Sequence, residues 1–501
     1  MMNEAIHKHA GDTAAARFLE TPLDDLLKPG ESGDGFPEAL ALMRGVAAEV
    51  PAYRRLLKER GIDPGAVATP ADFARLPLLD KTNYLRPFSL DDLVRGGDLT
   101  RCDFFAVSSG STGEPTFWPR ATADEWPIAA RFEQVLHDAF KAHRRRSLAV
   151  VCFALGSWVG GMFTTACLRC IAQKGYPLVT VTPGNKVDEI LRVVQRLAPQ
   201  FEQTILLGYP PFLKEAIDAG LAQGLDWPRH DIKLVMAGEV FSETWRELVA
   251  ERVGASDPLR FSASLYGTAD AGVLGQETPI SIAIRRFLAD KPEATKSLFG
   301  DERLPTLCQY DPTSRYFEVQ AGTLLFSGDN GVPLIRYHIA DRGGVMAFAP
   351  MLQAMRQLGF DPSKALQGGK PPRRQPFVWV FGRANFTVSF FGANVYPENV
   401  SLGLEQPEIR GQVTGKFVMQ VKEGLDSAPR LTVAVELARG LDPGAVDAGA
   451  IELAILAQLK RLNSEFANYV PADRQRPAVT LHPCGDPEYF PVGVKHRYSR
   501  N

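Results

Sequence analysis

Cysteine is scarce, at 6 in 501 residues, which excludes a disulfide-stapled secreted scaffold. Basic excess is missing too. Lys plus Arg number 56 against 58 Asp plus Glu, a net charge of −2, so there is no bulk field to neutralise nucleic-acid phosphates. Histidine is thin, 8 in all, with no HxxxH pair and no triad partners. Cys167 and Cys170 have CxxC spacing, but no second pair lies nearby and a structural zinc needs four ligands. The opening MMNEAIHKHAGDTAAARF lacks an apolar core and reads as no signal peptide; a reduced, cytoplasmic protein is expected. Long apolar runs are lacking with one exception, Ser147 to Leu168, which carries no charge and follows Arg144, Arg145 and Arg146. Gly156, Gly160 and Gly161 interrupt it. The expectation is therefore a buried strand, a turn and a helix rather than a membrane span.

What the chain does have is ample apolar material, 45% of residues, with 44 Gly and 37 Pro. Disorder is excluded, and about three packing units fit the length. Phe36 to Arg60 has helical spacing, stopped by Gly61 and Pro64. Short β-like runs at Ala149–Phe153, Leu178–Val181, Thr204–Leu207 and Lys233–Ala237 alternate with helical stretches at Val187–Leu197 and Pro211–Ala222. That alternation predicts parallel sheet flanked by helices. From about 303 to 350 the pattern turns hairpin-like, with Gly322–Ser327 and Leu334–Tyr337 bracketing the turn Gly328-Asp329-Asn330-Gly331. Asp361 to Pro376 is rich in Gly, Pro and charge and reads as an exposed loop. The segment after Gly382-Arg383 has strand, helix and strand signals and is long enough for a small domain.

The first motif with chemistry is Ser108-Ser109-Gly110-Ser111-Thr112-Gly113, after the strand-like Phe104–Val107. Small residues let backbone N–H groups approach an anion, and four hydroxyls add donors. It is not a Walker loop, because no Lys-Ser/Thr follows the second glycine. Further along come Met236-Ala237-Gly238-Glu239, Ser264-Leu265-Tyr266-Gly267-Thr268-Ala269-Asp270, Ile335-Arg336-Tyr337-His338-Ile339-Ala340-Asp341, Phe381-Gly382-Arg383-Ala384-Asn385 and Gly392-Ala393-Asn394-Val395-Tyr396-Pro397-Glu398.

In order, spacing and type these segments resemble the adenylate-forming superfamily of acyl-CoA ligases and adenylation domains. Val50-Pro51-Ala52-Tyr53-Arg54-Arg55-Leu56, Leu76-Pro77-Leu78-Leu79-Asp80-Lys81 and Pro333-Leu334-Ile335-Arg336-Tyr337 resemble its phenylacetate–CoA ligase branch. The resemblance covers roughly residues 45 to 500. It implies an α/β fold: a large N-terminal domain of mixed sheets flanked by helices (1–384), and a small α+β C-terminal domain (385–501) joined by a hinge at Asn385. It also implies a reaction. ATP activates a carboxylic acid to an acyl-adenylate with release of pyrophosphate, and a thiol, usually that of CoA, then displaces AMP.

Site residues follow from the same resemblance. Ser108, Ser109, Gly110, Ser111, Thr112 and Gly113 would hold phosphates. Gly238, Glu239, Tyr266, Gly267 and Thr268 would border adenine, with Gly267 giving close approach. Asp341 would take the ribose hydroxyls, with Arg383 in support. Asp270 stands where the family has a Glu that binds Mg2+, one methylene shorter. Lys495, in Pro491-Val492-Gly493-Val494-Lys495-His496-Arg497, would be the catalytic lysine. Trp158, Gly161, Tyr209 and Leu265 fall where the family lines its acyl pocket, and the bulk of Trp158 and Tyr209 suggests a small, aromatic acid. Lys141 to Arg146 could meet the phosphates of CoA or be a solvated helix end. His338-Ile339-Ala340 departs from the family's usual Arg-Thr-Gly before the ribose Asp. Two other readings stay open: transfer of the acyl group to an amine or a carrier-protein thiol, and a non-catalytic nucleotide-binding homologue. No nucleic-acid or membrane partner is expected, and a homodimer is compatible with all three readings.

Overall fold

A computed structural model describes residues 15–107, 116–156, 159–366, 370–383, 388–391, 393–423, 429–491, 496, 498 and 499. The phosphate-loop residues Ser108, Ser109, Gly110, Ser111, Thr112 and Gly113, together with Trp158, Asn385 and Lys495, lie outside the described residues.

The chain begins with helices. The predicted helix from Phe36 to Arg60 is two, α1 (Phe36–Glu49) and α2 (Pro51–Glu59). Pro51 is the reason. Its ring disfavours the helical region for the residue before it, and Val50 is extended at φ −97°, ψ 114°. A hairpin follows, β1 (Phe104–Val107) with β2 (Phe117–Arg120), flanking the phosphate-loop segment.

The central sheet starts with β3 (Ser147–Val151), β4 (Leu178–Val181), β5 (Gln203–Gly208), β6 (Ile232–Ala237) and β7 (Ser262–Thr268), all parallel in the order β4-β3-β5-β6-β7. The strand–helix alternation predicted this. Along these strands successive residues take opposite faces. Ala149, Val151, Ile205, Leu207, Val235 and Leu265 enter one apolar core with α3 (Val159–Gln173). Leu148, Val150, Leu206, Leu234 and Met236 enter a second core with α4 (Val187–Leu197), α5 (Pro210–Ala222) and α6 (Glu243–Val253). The uncharged run from Ser147 is thus split between β3 and α3, and among the described residues no helix is long and apolar enough to cross a membrane. Cys167 and Cys170 are buried on α3, and burial raises both thiol pKa values. Among the described residues no group of His, Cys, Asp and Glu forms a metal centre with them.

The sheet then changes sense. β8 (Gly272–Gln276), β9 (Thr306–Gln309), β10 (Arg315–Gln320), β11 (Thr323–Gly328), β12 (Leu334–Met346) and β13 (Phe377–Arg383) extend it antiparallel as β7-β8-β9-β13-β12-β11-β10. The hairpin around Gly328–Gly331 is where the sequence placed it. The stretch before β13 is not the free loop its composition suggested. Gln375 is fully buried and accepts from Gln134 Nε2 at 2.9 Å. The carbonyls of Arg373 and Gln375 accept from Gln309 Nε2, and Arg373 pairs with Asp138 and Asp24. Partners far away in sequence hold the segment down.

After Val388 the chain builds its own core of Phe390, Val400, Phe417, Val433, Ile455 and Phe466. It contains the hairpin β14 (Val388–Phe390) with β15 (Ala393–Val395), the helices α8 (Pro397–Leu404) and α9 (Ala448–Leu462), and the sheet β16 (Val413–Glu423), β17 (Pro429–Leu437), β18 (Ala478–His482). The fold is the expected α/β body with a small α+β unit at the C-terminal end.

Candidate active site

The loops beyond the carboxyl ends of parallel strands gather the motif residues, the usual place for a ligand in such a sheet. Phe153 follows β3, Tyr209 follows β5 and Gly238 follows β6, while Tyr266 lies near the end of β7. Phe153 and Tyr209 pack edge to face, with centroids 5.1 Å apart. Leu265 and Phe163 belong to the same apolar cluster, and Tyr209 is half-buried against it. Gly161 meets this cluster from α3. A Cβ there would lie 2.4 Å from the Ala154 carbonyl oxygen, so only glycine allows the helix to start so close to the β3 turn.

Two of the adenine-side glycines have internal reasons to be glycine. Gly238 has φ +86°, and a Cβ on it would meet the Tyr209 ring at 2.7 Å. A Cβ on Gly267 would lie 2.6 Å from the Gly272 carbonyl oxygen. The close approach expected of Gly267 is therefore to its own strand neighbour in the β7–β8 turn. Thr268 Oγ1 accepts from the Ala271 N–H at 3.1 Å and tightens the same turn.

Tyr266 and Asp341, 75 residues apart, meet here. The Tyr266 hydroxyl donates to Asp341 Oδ2 at 2.8 Å, and both residues are buried. Asp341 is presented by a kink in β12. Ala340 has φ +63°, and a register shift separates Asp341 from Gly343. Glycine takes such a positive φ more readily than alanine does. Arg383 pairs in register with Asp341 across β12 and β13. Glu239 accepts from the Tyr498 hydroxyl at 2.5 Å. Burial and the Glu239 carboxylate push the Tyr498 phenol far above its ordinary pKa. This contact brings the C-terminal segment, three residues beyond Lys495, against the β6 loop.

Asp270 has a different environment from the one expected. Its Oδ2 accepts from the Tyr337 hydroxyl at 2.7 Å, and its Oδ1 lies 3.6 Å from Lys81 Nζ. The surrounding loop is pinned by buried guanidinium groups. Arg120 of β2 donates to the carbonyls of Ala269 and Asp270, and Arg315 donates to that of Ala271. With both carboxylate oxygens engaged, and no metal-holding group of acidic or His side chains among the described residues, this position does not fit a protein-held magnesium ion. Lys81, Tyr337 and Arg120 had no role in the sequence reading. Lys81 and Tyr337 stood inside motifs, but nothing local to either motif says that they meet at Asp270.

In the stretch Lys141–Arg146 two arginines have partners within the protein. Arg145 pairs with Asp231 at 2.7 Å and donates to the Glu202 carbonyl, and Arg146 lies 3.8 Å from Glu202.

Comparison with known proteins bears on this geometry. No family model matches the chain. A phenylacetate-coenzyme A ligase of Thermus thermophilus is 23% identical over 374 residues, 74% of each chain. A 2-hydroxyisobutyryl-CoA ligase, solved in a postadenylation state with an acyl-AMP, superposes over 93% of this chain and 88% of its own, at 16% identity and a TM-score of 0.65. The same ligase in its thioesterification state, with acyl-AMP and CoA, covers 97% of this chain and 91% of its own with a TM-score of 0.52. The chain has the adenylate-forming fold. Within it, the Gly238-Glu239 turn follows β6, Tyr266 stands near the end of β7, and Asp341 reaches Tyr266 from the middle of β12.

Proposed function

We propose that the protein activates a small carboxylic acid with ATP, forming an acyl-adenylate and pyrophosphate, and then passes the acyl group to the thiol of CoA. The observation that carries this reading is the Tyr266–Asp341 hydrogen bond, made between the end of β7 and the kink in β12. It joins two motif segments into one polar group beside an apolar cluster, a combination suited to a nucleoside next to an acyl group.

In this reading the Tyr266 hydroxyl orients Asp341 toward the ribose hydroxyls, and the Tyr266 ring lies against adenine. The Ser108–Gly113 segment supplies backbone N–H and hydroxyl donors to the phosphates. The acid's carboxylate attacks the α-phosphorus; the new acyl–oxygen–phosphorus linkage forms as the bond to pyrophosphate breaks. Lys495 meets the charge gathering on the reacting oxygens. In the second half-reaction the thiol sulfur attacks the acyl carbon and AMP leaves. The hinge belongs at Asn385, between domains 1–384 and 385–501, where Asn tolerates unusual backbone angles. The aromatic Phe153–Tyr209 pair beside Leu265 favours a compact, aromatic acid over a long acyl chain. A cytoplasmic site of action belongs to the same proposal.

The test is pyrophosphate release with a panel of small aromatic and aliphatic acids, with and without CoA. Release with thioester formation is expected. Release without thioester would move the acceptor to an amine or a carrier-protein thiol. No release with any acid, and no ATP binding, would overturn the enzyme reading.

A further inference from the structure

The Lys81–Asp270 pair is built, not incidental. Leu79 forms a parallel bridge with Tyr337: the Leu79 N–H donates to the Arg336 carbonyl at 3.2 Å and the His338 N–H donates to that of Leu79 at 2.8 Å. Asp80 then caps the helical turn Lys81–Leu85, accepting from the N–H groups of Thr82 and Asn83 at 2.6 and 2.7 Å. The Asp80 N–H in turn donates to Asn83 Oδ1 at 2.8 Å. The Leu76–Lys81 segment is thus riveted to β12, the strand whose Tyr337 also donates to Asp270. This framework sets the Lys81 ammonium 3.6 Å from Asp270 Oδ1 and 5.7 Å from the ring centroid of Trp118. Trp118 lies on β2, the strand leading out of the phosphate-loop segment. The Lys81 side chain is 29% exposed and that of Asp270 only 4%, so the cation has an open side and its counter-ion does not.

Resting on the nucleotide reading above, we propose that Lys81 is a built-in cation of this site. It supplies from the chain itself positive charge at the place where the family's carboxylate holds a divalent ion, and Asp270 is its counter-ion, not a metal ligand. The shortening from Glu to Asp fits this role. The shorter carboxylate sits back in the protein between Tyr337 and Lys81. A divalent ion on the same carboxylate would stand against an ammonium group, and like charges at such separations repel strongly away from bulk water. The ligand class that uses such a cation is a polyphosphate, because a compact, strongly charged ammonium suits phosphate oxygens.

The experiment is a binding cycle on the full chain with α,β-methylene-ATP, which cannot release pyrophosphate, titrated once in Mn2+ and once in EDTA. For the native chain and Asp270→Asn, the ratio of the two affinities is expected to agree within about threefold, because Asp270 touches no metal. Lys81→Met is expected to lose about tenfold or more in EDTA and to recover part of that loss in Mn2+, as an added cation replaces the missing one. A fall of tenfold or more in the Mn2+-to-EDTA ratio on Asp270→Asn would overturn the proposal, since removing a metal ligand costs that much. Equal loss for Lys81→Met in both conditions would overturn it too. If Lys81→Met fails to fold, the native and Asp270→Asn arms decide alone. A native chain that binds the analogue in neither condition refutes the nucleotide reading, and this proposal with it. Binding with a native ratio unlike that of Asp270→Asn refutes the proposal alone.

Discussion

At the scale of single residues, the nucleotide-side predictions turn on what each side chain touches. Asp341→Ala removes the carboxylate that Tyr266 orients, so ATP affinity should fall. Tyr266→Phe keeps the ring but deletes a hydrogen bond to a charged group, worth about 1.5–3 kcal/mol, and should cost roughly tenfold or more. Competitive ATP titration checks both, and unchanged affinity in Asp341→Ala would remove its ribose role. Lys495→Ala should slow adenylation by about 10²–10³-fold, the loss typical of one donor to transition-state charge, with ATP binding largely kept. Undiminished pyrophosphate release would assign the chemistry to another lysine. Ala340 stands in the left-handed region at φ +63°, which costs an L-residue roughly 1–2 kcal/mol. Glycine there relieves that strain but adds about 0.5–1 kcal/mol of unfolded-state entropy. Ala340→Gly should therefore leave stability unchanged or raise it by up to about 1.5 kcal/mol in urea unfolding. A clear loss would mean that the Ala340 methyl group makes contacts worth more than the strain.

Among the elements, the strand that carries Tyr266 is anchored by buried charge. Glu277, at the end of β8, accepts from the Ser264 N–H at 2.8 Å and pairs with Arg246 of α6 and Arg285 of α7 (Pro279–Leu288), each at 2.8 Å. Burial works against the Glu277 charge, but the two guanidinium groups win and hold its pKa below the ordinary carboxylate value. Glu277→Ala would leave two buried cations short of a partner, so a loss of about 3–5 kcal/mol is expected in chemical denaturation. The sign with pH follows. A lowered carboxylate pKa contributes stability at neutral pH that is lost as pH falls through the folded value. The native chain should lose this contribution in strong acid, and Glu277→Ala has none to lose. Legibility at this scale was uneven. Strands β3 to β6 and helices α4 and α5 were readable within a residue or two because their apolar period reports directly on burial. The segment 370–376 was misread because Gly, Pro and charge describe local preference, whereas Gln309 and Gln134 hold it from afar.

For the whole molecule, the C-terminal unit meets the body through groups that titrate near neutrality. Glu405, at the C-terminal cap of α8, accepts from Ser242, and Lys214 of α5 donates to the Val413 carbonyl at 3.0 Å and to Asp218 at 2.9 Å. Burial raises the Glu405 carboxyl to about 8 and lowers the Lys214 ammonium to about 7. The packed state thus favours a protonated Glu405. Its stabilising effect is complete below the unfolded carboxyl pKa and lost as pH rises through about 8. Glu405→Gln keeps a partner for Ser242 and cannot ionise. At pH 9 it should be more stable than the native chain by at least about 1 kcal/mol, the worth of one pKa unit, with a smaller difference at pH 6. Denaturation at the two pH values checks this, and an equal difference at both would show that Glu405 is not buried against the body.

The order of elements, the parallel half-sheet and the motif set are legible along the chain, because periodicity, turn chemistry and short Gly-rich signatures are local properties. The sequence also implied the adenylate-forming fold, through the order in which those motifs follow one another. Which motif residues meet is settled only when the chain has folded. Tyr266 reaches Asp341, Tyr498 reaches Glu239, and Lys81 and Tyr337 converge on Asp270. These pairings join residues 67 or more positions apart in the chain, and no local pattern encodes them. The same limit applies to the cation of the site. Composition shows only that positive and negative charges balance, while the ion pair at Asp270 comes from a backbone bridge between Leu79 and Tyr337, which exists only once the chain is folded.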